Sequence, residues 1–207
     1  MKNGDRRPTL IVMVKDPVPG RVKTRLGRDI GMVAAANWFR IQTRRLIREV
    51  SRDLRWRTVL ALAPDPAAAT SRCWPAHLDR QPQGGGDLGE RMGRALSRAM
   101  PGPALLIGGD IPDVTRPRIS NAFDVLKHSD AVLGPAPDGG FWCIGVRGPG
   151  LPRNLFRNVR WSTCHALADT IASIPEHKVG LAETLADVDT IDDLAPRAIR
   201  ATPLTIR

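Results

Sequence analysis

Residues 104–113 read ALLIGGDIPD, and this stretch decides the fold. The apolar run Ala104 to Ile107 has the length of a short buried strand, and Gly108 and Gly109 stop it abruptly in front of Asp110. A strand ending in glycines and an aspartate places a carboxylate at the carboxyl edge of a sheet, where open α/β folds bind their ligands. Asp110 is therefore a candidate metal ligand. A second apolar run, Ala131 to Leu133, leads into the turn Pro135-Ala136-Pro137-Asp138-Gly139-Gly140. Two parallel strands would bring Asp110 and Asp138 to one rim, as a divalent ion and a phosphorylated substrate require.

Short apolar runs and amphipathic stretches alternate on both sides of this segment. Thr9 to Lys15 reads as a first strand, Thr58 to Ala63 as a second, and Phe141 to Val146 as a fifth, after those at 104–107 and 131–133. A helix is expected over Gly31 to Val50, with Met32, Ala36, Phe39, Leu46, Ile47 and Val50 as its apolar face. The stretch containing Pro64, Pro66, Pro75 and Pro82 reads as irregular. A helix from about Leu88 to Met100 follows, with Leu88, Met92, Ala95, Leu96 and Ala99 recurring at three and four. Asp87 and Glu90 form a capping-box-like start to it, after the glycines Gly84 to Gly86. Further helices are expected over Arg116 to Lys127, near Thr163 to Ile174, and after Asp189. This succession predicts an α/β fold, a three-layer sandwich of helices around a mostly parallel sheet.

With 207 residues, 42% hydrophobic and 25% charged, the chain suits one α/β domain spanning 1–207, with a core over about 9–195. The apolar run Leu10 to Val14 ends at Lys15, too short for a signal-peptide core, and no run reaches membrane-spanning length. Cys73, Cys143 and Cys164 stand far apart with no C-x-x-C pair, which argues against a disulfide framework or a thiolate zinc site and fits a reducing cytoplasm. The formal charge of +10 is compatible with nucleic acid, an acidic membrane surface or a phosphate-rich substrate. Much of it lies in Arg40, Arg44, Arg45, Arg48, Arg52, Arg55 and Arg57, either the wet face of a packed helix or a polyanion-binding surface. With no tyrosine and five scattered tryptophans, the aromatic interleaving of a single-strand-binding surface is missing.

The loop after the first strand, Lys15 to Leu26, combines prolines, Gly20 and a cation cluster ahead of a helix. Backbone N–H groups, lysine as a point charge and arginine as a bidentate fork hold phosphates in such places. The loop is neither G-x-x-x-x-G-K-[ST] nor G-x-G-x-x-G. A solvated Pro-rich turn is the alternative, and its position on the same rim as Asp110 favours phosphate binding.

Six ordered blocks resemble one family: Lys15-x-Pro17-x-Pro19-Gly20-x-Val22-Lys23-Thr24-Arg25-Leu26, Gly86-Asp87-Leu88-Gly89-x-Arg91-Met92, Gly108-Gly109-Asp110-x-Pro112-Asp113, Gly134-Pro135-x-x-Asp138-Gly139-Gly140-Phe141, Trp161-Ser162-Thr163, and Asp187-x-Asp189-Thr190. They resemble the DUF2064 family of GT-A-type glycosyltransferases, some associated with arsenosugar biosynthesis or radical-SAM gene clusters. The wider resemblance is to nucleotide-diphospho-sugar transferases, including the guanylyltransferase of phospholactate activation, which has a similar Lys-Thr-Arg-Leu stretch. The superfold hosts both sugar transfer and nucleotidyl transfer.

The resemblance implies that Asp110 binds Mg²⁺ or Mn²⁺ through the donor's diphosphate, although Asp110-Ile-Pro-Asp113 replaces the usual D-x-D. Asp113 is either a second ligand or, by preference, a helix cap ahead of Arg116. Asp187 is the favoured second ligand and Asp189 its competitor, the latter equally able to cap a final helix with Asp192 and Asp193. Lys15, Gly20, Lys23, Thr24, Arg25, Asp87 and Arg91 are the expected nucleotide and phosphate contacts, with Lys23 and Asp110 also assigned to catalysis. Asp138 binds the acceptor or acts as general base, unless it is only an Asp-Gly turn residue. Trp142 and Trp161 either stack on a ligand or belong to the core, and the four histidines receive no role. The reading is of a metal-dependent transferase with a nucleotide-activated donor and a small-molecule acceptor, foremost a glycosyltransferase using a nucleotide sugar. A guanylyltransferase-like nucleotidyltransferase using a nucleoside triphosphate and a phosphorylated small molecule is one alternative. A non-catalytic polyanion-binding protein is the other. No specific nucleic acid and no membrane span are expected, and a homodimer is left open.

Overall fold

A computed structural model describes residues 7–99, 102–148 and 150–194. Its elements are β1 (Thr9–Lys15), α1 (Thr24–Ile30), α2 (Met32–Val50), β2 (Arg57–Ala63), α3 (Ala67–Thr70), β3 (Asp79–Pro82), α4 (Leu88–Ser97), β4 (Ala104–Gly108), α5 (Arg116–Leu126), β5 (Ala131–Pro135), β6 (Phe141–Val146), α6 (Ala166–Ala172) and β7 (Val179–Leu181). The strands form one sheet in the order β3-β2-β1-β4-β6-β5-β7.

Strand composition explains the layers. In β1, Leu10, Val12 and Val14 face α2 and α5, whereas Ile11 faces α4 on the opposite side, and all four are buried. Leu105 and Ile107 of β4 join the first core, and Ala104 and Leu106 the second. Strands covered on both faces read as continuous apolar runs, which is why β1 and β4 stand out in the sequence. The helix between β1 and β2 packs on one face and the helix between β3 and β4 on the other, so the winding reverses between β1 and β4. That reversal opens a crevice at the carboxyl ends of both strands.

β6 runs antiparallel to β4 and to β5 and lies between them, which leaves β4 and β5 parallel to each other. Asp110 and Asp138 accordingly leave the sheet at the same edge, although their strands are not neighbours. Several expectations need correction. The Pro-rich stretch contains β3, four residues paired in parallel with β2. Gly31, at φ 90°, separates α1 from α2, where one helix after the loop was expected. Met32 and Leu88 are 37% and 46% exposed, so neither belongs to the buried faces assigned to it. α4 ends at Ser97, short of Met100, which lies outside the described residues, and α6 is shorter than the expected 163–174. After Asp189 the described chain makes turns up to Leu194, and the remainder of the expected last helix lies outside the described residues.

Candidate active site

The loop from β1 turns through Gly20 at φ +76° and delivers Lys23 to the N-cap of α1. Lys23 holds a left-handed backbone, φ 44° and ψ 49°, without a side-chain cap bond. That conformation costs an L-residue on the order of 1 kcal/mol, and here it accompanies a side chain that is only 5% exposed. Lys23 Nζ lies 2.7 Å from Asp110 Oδ2, 2.9 Å from Asp189 Oδ1 and 3.8 Å from Asp187 Oδ2. Arg25 NH1 reaches the other oxygen of Asp189 at 3.1 Å. Burial acts to lower the Lys23 ammonium pKa, but Asp110 and Asp189 together outweigh it and raise it above its ordinary value. Burial pushes the Asp187 carboxyl up, and the neighbouring Asp189, Asp110 and Asp138 charges add to the shift against the opposing pull of Lys23.

Asp110 is placed by its glycines. The Gly109 N–H donates to Met13 O at 3.0 Å, and a Cβ on Gly109 would lie 2.7 Å from Val14 Cγ1 and 2.9 Å from Met13 O. Only glycine lets the exit of β4 press so closely on the end of β1, and this contact sets Asp110 beside the Lys23 loop. Asp187 and Asp189 arrive from the far end of the chain. Their segment is tied to the rim by the Leu185 N–H donating to Pro135 O at 3.0 Å. Asp193 Oδ2 accepts from the Asp189 and Thr190 N–H groups. The two Asp189 oxygens accept from Lys23 and Arg25, and most of the last helix that Asp189 was expected to cap lies outside the described residues. Asp113 is not the cap of α5; Thr115 occupies that position.

These side chains line one wall of a cleft of about 940 Å³, large enough for a substrate of nucleotide-sugar size. Lys15, Thr24, Arg25, Asp87, Arg91, Asp110, Asp138, Asp187 and Asp189 all line it, while Gly20 shapes the loop outside it. Asp87 caps α4 through the expected reciprocal pair, accepting from the Glu90 N–H while Glu90 accepts from the Asp87 N–H, each at 2.8 Å. Arg91 Nε donates to Gly86 O at 3.0 Å and so braces the glycine loop. Asp138 Oδ1 accepts from the Gly140 N–H at 2.9 Å, so Asp138 is both a turn residue and a cleft residue. Gly139, at φ +82°, would carry a Cβ 2.1 Å from Cys164 O; only glycine allows this turn to sit against the Trp161–Cys164 wall.

The tryptophans divide. Trp142 is 2% exposed, packs in the core and donates Nε1–H to Glu183 O at 2.7 Å. Trp161 is partly exposed on the cleft and packs on Phe141 and Phe156. Sequence reading missed Gln83, 3% exposed, whose amide donates to Val14 O at 3.1 Å and Ala61 O at 2.9 Å and ties the ends of β1 and β2 together beside the cleft. Its only sequence signal is a polar residue between Pro82 and Gly84, where a turn is the simpler reading. Among the described residues, no group of three His, Cys, Asp or Glu side chains is arranged to hold a metal ion as it stands. The donor chemistry of Asp110, Asp187 and Asp189 nevertheless suits a hard cation such as Mg²⁺ or Mn²⁺, and the point on which they converge is filled by the Lys23 ammonium.

Fold and cleft together define a transferase of the nucleotide-diphospho-sugar transferase-like class. The chain belongs to the DUF2064 family, described as an uncharacterized protein conserved in bacteria, which matches residues 46–163. A solved protein from Desulfovibrio desulfuricans G20, provisionally assigned as a nucleotide-diphospho-sugar transferase, is 29% identical, with 95% of this chain and 89% of that one covered and a TM-score of 0.82. The 4-diphosphocytidyl-2C-methyl-D-erythritol synthase of Anaerococcus prevotii DSM 20548 shares the fold at 11% identity, coverage of 92% and 95%, and a TM-score of 0.60. A Mycobacterium tuberculosis H37Rv protein solved in complex with manganese shares it at 20% identity, coverage of 92% and 96%, and a TM-score of 0.53. No curated protein matches the chain in sequence. No described helix is long and apolar enough to cross a membrane.

Proposed function

We propose that this protein is a glycosyltransferase that takes its sugar from a nucleotide-diphospho-sugar and uses Mg²⁺ or Mn²⁺. The observation that carries the reading is the convergence of Asp110, Asp187 and Asp189 with Lys23 and Arg25 at the crevice between β1 and β4. The resemblance to the Desulfovibrio protein extends over nearly the whole chain and supports a nucleotide-sugar donor over a nucleoside triphosphate. Asp110, Asp187 and Asp189 would hold the ion, which when bound neutralises charge building on the departing diphosphate. Arg25, 70% exposed at the rim, can swing its planar fork onto a phosphate, and Lys15 adds a second positive charge to the same wall. Asp138 lines the cleft with one oxygen held by the Gly140 N–H, and would accept the acceptor hydroxyl's proton as the new bond forms. Trp161 and the exposed Ser162 and Thr163 beside it supply an aromatic face and hydroxyls for a small-molecule acceptor.

The test is product analysis with a panel of nucleotide sugars and nucleoside triphosphates, with and without Mn²⁺. Nucleoside diphosphate released from a nucleotide sugar only when Mn²⁺ is present supports sugar transfer. Pyrophosphate released from a triphosphate would replace this reading by nucleotidyl transfer.

A further inference from the structure

Lys23 reaches the cleft by way of a left-handed backbone at the head of α1, and its stem is buried. The ammonium is packed on the carboxylates and turned away from open solvent, with contacts of 2.7 and 2.9 Å to two of them and 3.8 Å to the third. Arg25 adds one further positive charge through Asp189. Three carboxylates thus face two cations, and the space between the oxygens is occupied by a lysine nitrogen that lies closer to Asp110 and Asp189 than to Asp187. A divalent ion drawn to the same oxygens would sit about 2.0–2.6 Å from each, which leaves no room for Nζ and sets like charges side by side.

We propose that Lys23 is a built-in counter-ion that competes with the divalent cation, so that the carboxylate site takes up metal only as the Lys23 ammonium leaves it. The inference rests on the metal-dependent reading above and adds an order of events. Without nucleotide, the ammonium keeps the three carboxylates together and compensated, and metal binds weakly. A donor diphosphate entering the cleft offers the ammonium another anionic partner, the carboxylates become free, and metal and nucleotide bind cooperatively. Lysine suits this exchange because its charge is compact and its stem has rotatable bonds, whereas the planar arginine fork needs a fixed geometry. Positive cooperativity follows whenever one ligand removes the cost of ordering or freeing the site for the other. Lys23 is in this respect a positioning residue, acting on the cation through the carboxylates.

Two measurements test the proposal, both without turnover. Mn²⁺ binding, followed by the electron paramagnetic resonance of the free ion in the absence of nucleotide, should be at least about ten-fold tighter for Lys23→Met than for the unmodified protein, because both the occupant and its like charge are gone. Lys23→Arg, which keeps the charge, should remain within about three-fold of the unmodified protein. The second measurement uses the unmodified protein alone and does not depend on how a variant folds. Acylation of Lys23 by a water-soluble ester, read by peptide mass spectrometry, should accelerate on saturation with Mg²⁺, while Lys127, exposed at the C-cap of α5 and not lining the cleft, stays unchanged. Equal Mn²⁺ affinity for Lys23→Met and the unmodified protein, or Lys23 acylation indifferent to saturating Mg²⁺, overturns the counter-ion role and leaves metal dependence standing. Absence of Mn²⁺ binding by either protein even with a nucleotide sugar present overturns the metal-dependent reading as well.

Discussion

Lys23 and Arg25 lie against three carboxylates at the cleft, whereas Arg40, Arg44, Arg45, Arg48 and Arg52 run exposed along and just past α2 with no ion pair among the described residues. Both regions contribute to the net charge of +10. They differ in what surrounds them. The cleft cations sit where the sheet winding reverses and anionic partners converge, while the α2 arginines cover the solvent side of a helix whose other side buries Ala36, Phe39, Leu46 and Ile47. Arginine is enriched on such faces because its charge stays wet while its stem covers apolar surface. A strongly basic composition therefore says little about function until the charges have been located.

Asp110→Asn strikes the cleft hardest. We expect turnover to fall by roughly 100-fold or more, the scale of losing a group that organises transition-state charge. The Mn²⁺-dependent rise in melting temperature given by a nucleotide sugar should disappear. Asp113→Asn, at a position that does not line the cleft, should change turnover by less than about two-fold if Asp110 alone of the pair serves the ion. Steady-state rates and thermal melts of the two variants side by side decide the point, and equal losses would move Asp113 into the site.

Arg25→Ala should weaken nucleoside diphosphate binding about ten-fold, the scale of a lost charge-assisted hydrogen bond, and leave the bare nucleoside unaffected. Arg25→Lys should recover only part of the loss if the contact is bidentate. Calorimetric titration of both ligands separates a phosphate contact from a general loosening of the loop, which would weaken the two equally.

A smaller effect is expected beside Trp161, which also lines the cleft. Arg160 donates to both oxygens of Asp169 just ahead of Trp161, and this pairing holds the Asp169 carboxyl well below the usual carboxylate range. A depressed carboxyl contributes stability that is present above the unfolded value, about 3.9, and lost as pH falls toward the folded one. Urea melts should show Asp169→Asn less stable than the unmodified protein at neutral pH, with the gap closing below about pH 4. A gap independent of pH would mean that packing, and not the ion pair, holds this wall.

The smallest effect belongs to α2. Replacing Arg44, Arg45 and Arg48 together by glutamine keeps helix propensity and should change turnover by less than about two-fold, and nucleic-acid binding by the unmodified protein should be weak and without sequence preference at physiological salt. Specific nucleic-acid binding abolished by this triple change would make α2 the functional surface and erase the contrast with the cleft.

The sequence by itself determined the strands whose two faces are buried, the reciprocal cap at Asp87 and Glu90, and the rim that carries Asp110 and Asp138, because apolar period, capping chemistry and glycine turns act within a few residues. The matched family region, 46–163, contains those carboxylates but neither Lys23 nor the Asp187–Asp189 segment. Only the tertiary structure decided that β6 enters antiparallel between β4 and β5, that four residues around Gln81 pair as β3, and that Asp189 lies closer than Asp187 to Lys23. It alone showed that Lys23 is held among carboxylates inside the cleft. Lys23 and Asp189 are 166 residues apart in the chain, and their meeting depends on the sheet order and on Gly109 admitting β4 against β1. No local spacing encodes such a contact, since it exists only once the separate elements have packed.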